Sequence, residues 1–189
     1  MEKVNVYDFD KTILPYDSTE AFFKFCLRRH PRIVRKALRA VPLLPLWALK
    51  IKSKTEIKQV FYGFLTALSD VDAELEEFWR ENLPNINEWY LQRRRPDDIV
   101  ISASPDFLLR PVAETMGFRL IASRVGKYTG LAEGANNDGA EKVRRLNAEY
   151  PGTEIENFYS DSLHDSPLAL LSERAYLVKD DMLLPWPSK

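Results

Sequence analysis

Two carboxylates spaced two apart, Asp8 and Asp10, end the short apolar run Val4-Asn5-Val6-Tyr7, and a hydroxyl follows two residues on at Thr12. One carboxylate can attack an electrophile or ligate a cation, and a second beside it can carry a proton. Compatible residues recur further along the chain. Ser102 closes the apolar run Ile99-Val100-Ile101, Lys142 falls in the first turn of a helical stretch, and Asp161 and Asp165 lie in Ser160-Asp161-Ser162-Leu163-His164-Asp165. Four carboxylates brought to one place repel strongly, so a divalent cation and a lysine are needed to balance them. Oxygen donors without His or Cys favour Mg²⁺. Such a pocket, beside a hydroxyl and the free N–H groups of a helix start, suits a phosphoryl group. Some of these residues admit plainer readings. Lys142 is equally a solvated lysine on the unfavourable end of a helix dipole. Ser104, before Pro105 and Asp106, reads as a helix cap, and His164 as a loop residue at the rim.

The elements that must position these groups follow from periodicity and punctuation. Val4, Val6, Tyr7 and Phe9 leave little polar surface, which is the pattern of a strand buried on both faces. Asp17 with Glu20 forms a capping box. Helices are expected over Ser18–Arg29, Arg32–Ala40, Lys54–Leu68 and Val71–Asn82, with Pro31, Pro42, Pro45 and Pro84 at their boundaries. After Pro96 strands and helices alternate: a strand over Asp98–Ser102, a helix over Asp106–Met116 stopped by Gly117, a strand over Arg119–Ser123. Gly126–Gly130 reads as a hairpin or flap, and Asp138 with Glu141 as a second capping box for a helix over Gly139–Tyr150. Strands over Ile155–Tyr159 and Ala175–Val178 complete the pattern. The fold class is therefore α/β, a Rossmann-like parallel sheet with helices on both faces and an inserted all-helical cap domain. The core takes residues 1–16 and 97–189, and the cap takes 17–96. In such sheets ligands gather at the carboxyl ends of the strands, where Asp8, Ser102 and Asp161 fall.

Composition narrows the function classes. A formal charge of −1 over 189 residues gives no global reason to bind nucleic acid, and 45% hydrophobic residues allow a sizeable core. The single cysteine, Cys26, cannot form an intrachain disulfide and sits among Phe22, Phe23, Phe25 and Leu27 as a core residue. No signal peptide precedes Asp8 and no apolar stretch is long enough to span a bilayer, so the expected compartment is the cytoplasm.

Asp8-Phe9-Asp10-Lys11-Thr12, Ile101-Ser102-Ala103-Ser104, Gly139-Ala140-Glu141-Lys142 and Ser160 to Asp165 together resemble the motifs of the haloacid dehalogenase-like (HAD) superfamily, in the phosphoserine phosphatase branch. The resemblance implies a Mg²⁺-dependent phosphomonoester hydrolase acting through an aspartyl-phosphate. Asp8 is then the nucleophile and Asp10 the acid and base. Thr12, Ser102 and Lys142 are the phosphate-binding set. The metal site draws on Asp8, the backbone carbonyl of Asp10, Asp161 and the supporting Asp165. An aspartate two residues after the nucleophile separates this pattern from ion pumps and dehalogenases of the same superfamily. Ser160 stands where a glycine is usual, and Ala103-Ser104 where the branch has two glycines.

Substrate information is expected in the insert. Lys24, Arg28, Arg29, Arg32, Arg35, Lys36, Arg39, Lys50, Lys52, Lys54 and Lys58 surround the apolar, Trp-bearing run Val41–Leu49. A basic belt around such a run can rest on an anionic membrane surface, at the inner face of the membrane. This resembles phosphatidylglycerophosphate phosphatases and implies a phospholipid head group as the alternative to a small phosphorylated metabolite. The plainer reading packs the run inward. Asp17 falls where phosphoserine phosphatase has a substrate-contacting Glu, and is equally a helix cap. A phosphomutase or phosphotransferase, or a non-catalytic phosphate-binding protein, are the remaining classes.

Overall fold

The computed structural model describes residues 3–43, Pro45, Leu49 and 54–187. The first strand, β1 (Val4–Tyr7), is buried along its whole length, as its unbroken apolar pattern requires. It lies in the middle of a six-stranded sheet with β2 (Ile99–Pro105), β3 (Arg119–Ser123), β4 (Ile155–Ser160), β5 (Ser172–Lys179) and β6 (Met182–Pro185). The order is β3-β2-β1-β4-β5-β6. Every pairing is parallel except β5 with β6. That antiparallel edge strand is absent from the sequence reading. Its two-residue turn is Asp180-Asp181, both left-handed at φ 46 and 63, as a tight hairpin turn demands. Aspartate tolerates this conformation, but without a glycine the pair gives no strong turn signal.

Between β1 and β2 the regular elements among the described residues are helical, with α1 (Ser18–Arg29), α2 (Val34–Ala37), α3 (Lys54–Tyr62), α4 (Val71–Asn82) and α5 (Glu88–Leu91). The helix expected over Arg32–Ala40 is broken into 3₁₀ turns at Pro31–Ile33 and Leu38–Leu43 around the short α2. Pro31 opens the first of these turns and Pro42 lies inside the second. The helix expected over Lys54–Leu68 stops at Tyr62 and tightens to a 3₁₀ turn from Gly63, the weakest helix former of the stretch after proline. Of the run Val41–Leu49, residues Leu44, Leu46, Trp47 and Ala48 lie outside the described residues, as do Lys50 and Lys52. Among the described residues no helix is long and apolar enough to cross a membrane.

Helices cover both faces of the sheet. Adjacent strand residues point to opposite sides, so Val6, Ile101 and Phe158 pack against Leu146 of α7 (Ala140–Glu149) and Leu168 of α8 (Ser166–Ala169). Tyr7, Val100, Leu120 and Tyr159 pack against Leu109 and Val112 of α6 (Asp106–Met116). This second cluster continues into Phe22, Phe64, Phe78 and Trp79 of the inserted helices. The indole N–H of Trp79 donates to the Leu108 carbonyl at 2.6 Å, and Tyr90 of α5 meets the Tyr7 ring edge-on at 5.1 Å. Cys26 lies in the same cluster, fully buried, and burial pushes its thiol up to about 12. The turn at Gly126–Gly130 is a small hairpin, closed by the Val125 and Ala132 bridge. Its Lys127 and Tyr128 both bond Asp72 of α4.

Candidate active site

The strand order reverses direction between β1 and β4, so a crevice opens beyond their carboxyl ends. Asp8 follows β1 and Asp161 follows β4, while Ser102 lies within β2, next to β1. After Asp8 the chain winds into one tight turn. The Phe9 carbonyl accepts from the N–H groups of Thr12 at 3.3 Å, Ile13 at 2.9 Å and Leu14 at 3.0 Å. Lys11 takes a left-handed conformation, φ 55, to make that turn, which an L-residue does at a cost.

Lys142 resolves in favour of an anion-facing role. The residue is 2% exposed, and its Nζ donates to Asp8 Oδ1 at 2.8 Å and to Asp165 Oδ2 at 2.7 Å. Burial alone would lower the lysine pKa, but Asp8 and Asp165 more than offset this and hold it above its ordinary value. Burial drives the Asp8 carboxyl up to about 6. Lys142 pulls it down, and Asp165 and Asp10 add to the rise. Ser160, the residue in the usual glycine position, is also buried. Its hydroxyl donates to Asp165 Oδ2 at 2.8 Å and accepts from the Ser162 N–H at 3.1 Å. The serine thus fixes the carboxylate that supports Lys142.

Asp10 is held by the other side of the site. Its carboxylate accepts from the Ser18 backbone N–H at 2.6 Å and from the Ser104 hydroxyl at 2.5 Å. Burial, then the nearby charge of Asp17, raise its pKa against those two hydrogen bonds. Ser104 therefore does not cap α6. The cap position is Pro105, with no side-chain cap bond, because β2 runs on past Ser102 and turns the Ser104 hydroxyl to Asp10. Asp17 does cap α1, its Oδ1 accepting from the Glu20 N–H at 2.8 Å. The reciprocal half of that box is replaced by a Glu20 to Lys24 ion pair. The second expected box fails as well: α7 starts after Gly139 without a side-chain cap, since Glu141 turns to Arg144 and Arg145.

Thr12 is wholly buried. Its hydroxyl accepts from the Asp161 N–H at 3.0 Å, joining the loop after β1 to the loop after β4. Ser102 is also buried, its hydroxyl accepting from the Ser104 N–H at 3.0 Å. Asp161 lines the same cavity as Asp8. Burial first, then the charge of Asp8, push its carboxyl up to about 6. Among the described residues no group of three or more His, Cys, Asp or Glu side chains gathers as a metal cage. Asp10 spends its side chain on Ser18 and Ser104, and Asp165 spends its own on Lys142 and Ser160. Asp8, bonded to Lys142 through Oδ1 alone, and Asp161 are the carboxylates that face the cavity with an oxygen to offer a cation. A pair of mutually repelling carboxylates, one buried and one half-buried, with water completing the shell, fits Mg²⁺, which seldom uses an all-protein cage.

The cavity above these groups has a volume of about 890 Å³. Asp8, Asp10, Asp17, Lys142, Asp161 and Asp165 all line it, and α1, α2 and α3 contribute its other walls. Three positioning residues escaped the sequence reading. Lys58 of α3 donates to the Ala103 carbonyl at 3.0 Å and to Asn136 Oδ1 at 2.9 Å, tying the insert to the end of β2 and to the segment before α7. Asn137 donates to the Ser102 and Ile121 carbonyls, each at 3.0 Å, holding the ends of β2 and β3 together. The third is Ser104. Lys58 is one lysine among many in a basic stretch, so only its fold position marks it. The Asn136-Asn137-Asp138 run before Gly139 was the available signal for Asn137.

The family model for haloacid dehalogenase-like hydrolases matches residues 6–170. Among solved structures, a protein of unknown function from Bordetella pertussis Tohama I is 26% identical, with a TM-score of 0.74 over 94% of this chain and 90% of that one. A phosphoserine phosphohydrolase-like protein from Francisella tularensis subsp. tularensis SCHU S4 is 13% identical, with a TM-score of 0.59 over 96% and 89%. A substrate-bound phosphoserine phosphatase is 16% identical, with a TM-score of 0.55 over 93% and 85%. No curated protein matches.

Proposed function

The chain belongs to the haloacid dehalogenase-like hydrolase family, and from that premise we propose that it hydrolyses phosphate monoesters with Asp8 as the nucleophile. The observation that carries this reading is the buried Lys142 clamped between Asp8 and Asp165 at 2.8 and 2.7 Å, on the floor of a cavity. A lysine so placed orients one oxygen of the nucleophile and offers positive charge to an incoming phosphoryl group.

In the first half-reaction the Asp8 carboxylate attacks phosphorus and the bond to the ester oxygen breaks. The leaving oxygen takes the proton of Asp10, whose raised pKa suits it to hold one. In the second half, water attacks the acyl-phosphate phosphorus and gives its proton back to Asp10. Phosphate leaves, and the Asp8 carboxylate is restored. Ser104 and the Ser18 N–H keep the Asp10 side chain aimed while it exchanges the proton. Lys142 and the Ser102 hydroxyl are the groups that would hold phosphoryl oxygens. The carboxylates of Asp8 and Asp161 and the backbone carbonyl of Asp10 would hold Mg²⁺. When bound, that ion supplies positive charge to the phosphoryl oxygens and to the attacking carboxylate.

The test is hydrolysis of a generic aryl phosphate by wild type and by Asp8→Asn, each with Mg²⁺ and with a chelator. The expected outcome is turnover by the wild type with Mg²⁺, and a loss of at least about a thousandfold in the variant. Equal turnover by Asp8→Asn overturns the assignment of the nucleophile.

A further inference from the structure

The cavity changes character between floor and walls. Its floor is ionic, with Asp8, Asp10, Lys142 and Asp161. Much of the wall contributed by the insert is hydrocarbon: Phe23 and Leu27 of α1, Val34 and Leu38 around α2, Ile57 and Phe61 of α3. Leu38 and Val41 line the same space yet remain 56% and 51% exposed. A phosphorylated sugar or amino acid would leave those side chains facing water or facing hydroxyl groups that they cannot bond. Apolar walls closing over a polar reaction centre are the expected shape of a pocket for a ligand with one polar end. The volume of about 890 Å³ holds far more than a phosphoryl group. Arg35 and Arg39, three residues before Leu38 and one after it in the chain, are exposed and give this stretch the positive charge that draws an anionic amphiphile.

Resting on the hydrolase reading above, we propose that the substrate is an amphiphilic monophosphate whose hydrocarbon chain lies along the apolar wall of α1, α2 and α3 while its phosphate meets Asp8 and Lys142. The chain is the occupant of the apolar wall, and the chemistry is shared by a soluble alkyl or acyl-type phosphate and by a membrane lipid phosphate.

The experiment is a homologous series of n-alkylphosphonates, which cannot be hydrolysed, titrated calorimetrically into the wild-type protein with Mg²⁺ below their micelle concentrations. The expected result is a dissociation constant that falls roughly four-fold per added methylene, the equivalent of about 0.8 kcal/mol, until the cavity fills. A negative heat-capacity change should grow with chain length. Leu38→Asp, at an exposed position, is expected to flatten the series, with its melting curve showing that the fold is intact. A wild-type series independent of chain length overturns the proposal and means that the protein's own residues close the apolar wall. An unchanged slope in both Leu38→Asp and Phe61→Ser overturns it too. If aryl phosphate is hydrolysed and chain length has no effect, the tail assignment alone fails. If the phosphonates show the slope and no monophosphate is turned over, the hydrolase reading fails and the tail site stands. Comparing an alkyl monophosphate as free monomer with the same compound in neutral phosphatidylcholine vesicles then separates the two sources, and faster turnover in either form keeps the tail in the cavity.

Discussion

Lys142, buried between Asp8 and Asp165, bonds both carboxylates, so the charge balance around Asp8 turns largely on its side chain. Lys142→Met should cost about 3–5 kcal/mol at neutral pH, because it leaves buried carboxylates without their partner. The sign of the pH dependence follows from Asp8, already raised to about 6 and expected to rise further in the variant. A carboxyl with a raised folded pKa favours the folded state when protonated, and that contribution fades as pH climbs through the raised value. The deficit of Lys142→Met against wild type should therefore be largest near pH 7.5 and shrink toward pH 5, as measured by urea unfolding with chelator present. A deficit that grows on acidification would contradict the clamp. On the other side of the site, Ser104→Ala removes a hydrogen bond that lowers the Asp10 pKa. The basic limb of the kcat profile, set by Asp10 as the acid, should move to higher pH; an unmoved limb would show that Ser104 does not tune it. Asp8, Lys142 and Asp161 were legible in the sequence because each sits at the end of an element with a strong pattern. Ser104 was not, because a serine before Pro-Asp gives the same local signal whether its hydroxyl caps a helix or reaches 94 residues back to Asp10.

At the level of elements, the hairpin after β3 is pressed against the insert at a glycine. Gly130 has φ +69, and a Cβ there would come within 2.4 Å of the Tyr62 carbonyl oxygen. Gly134, at φ +106, has open space around the same position. Gly130→Ala should therefore lose more stability than Gly134→Ala. The first meets rigid backbone as well as an unfavourable dihedral, on the order of 1–3 kcal/mol. The second meets the dihedral alone, about 1–2 kcal/mol. Urea unfolding of the pair checks the ranking, and equal losses would mean the hairpin moves freely off Tyr62. Periodicity located β1 to β5, α1, α4, α6 and α7. It lost the exact form of Arg32–Leu43, a basic stretch that folds as a short helix between 3₁₀ turns. It lost β6, because Asp180-Asp181 makes a left-handed turn without the glycine that normally announces one.

Over the whole molecule, the apolar cluster that contains Tyr7, Val100 and Tyr159 of the sheet also contains Phe22, Phe64, Phe78 and Trp79 of the insert. Composition marks a change near Pro96, but it carries no information about whether the helices before it pack on the sheet or stand apart. Shared packing of this kind predicts one cooperative unfolding transition, with Trp fluorescence and far-UV circular dichroism giving the same midpoint. Two separated midpoints would show that the insert unfolds by itself. The long-range meeting of Asp8, Lys142 and Asp161 could be anticipated because parallel strands place their carboxyl ends on one edge. The hydrocarbon wall could not, since its side chains come from α1, α2, the 3₁₀ turn Leu38–Leu43 and α3, whose relative packing no local pattern encodes.

The claim on which the mechanism depends is that Asp8 becomes phosphorylated during turnover. Acid quenching of the wild-type enzyme with Mg²⁺ during steady-state hydrolysis of an aryl phosphate, followed by proteolysis and mass spectrometry, tests it directly. The mechanism predicts an acid-stable, base-labile phosphoryl group on the peptide that contains Asp8, and none on Asp8→Asn. A phosphoryl group on another residue, or hydrolysis that persists in Asp8→Asn, would contradict it.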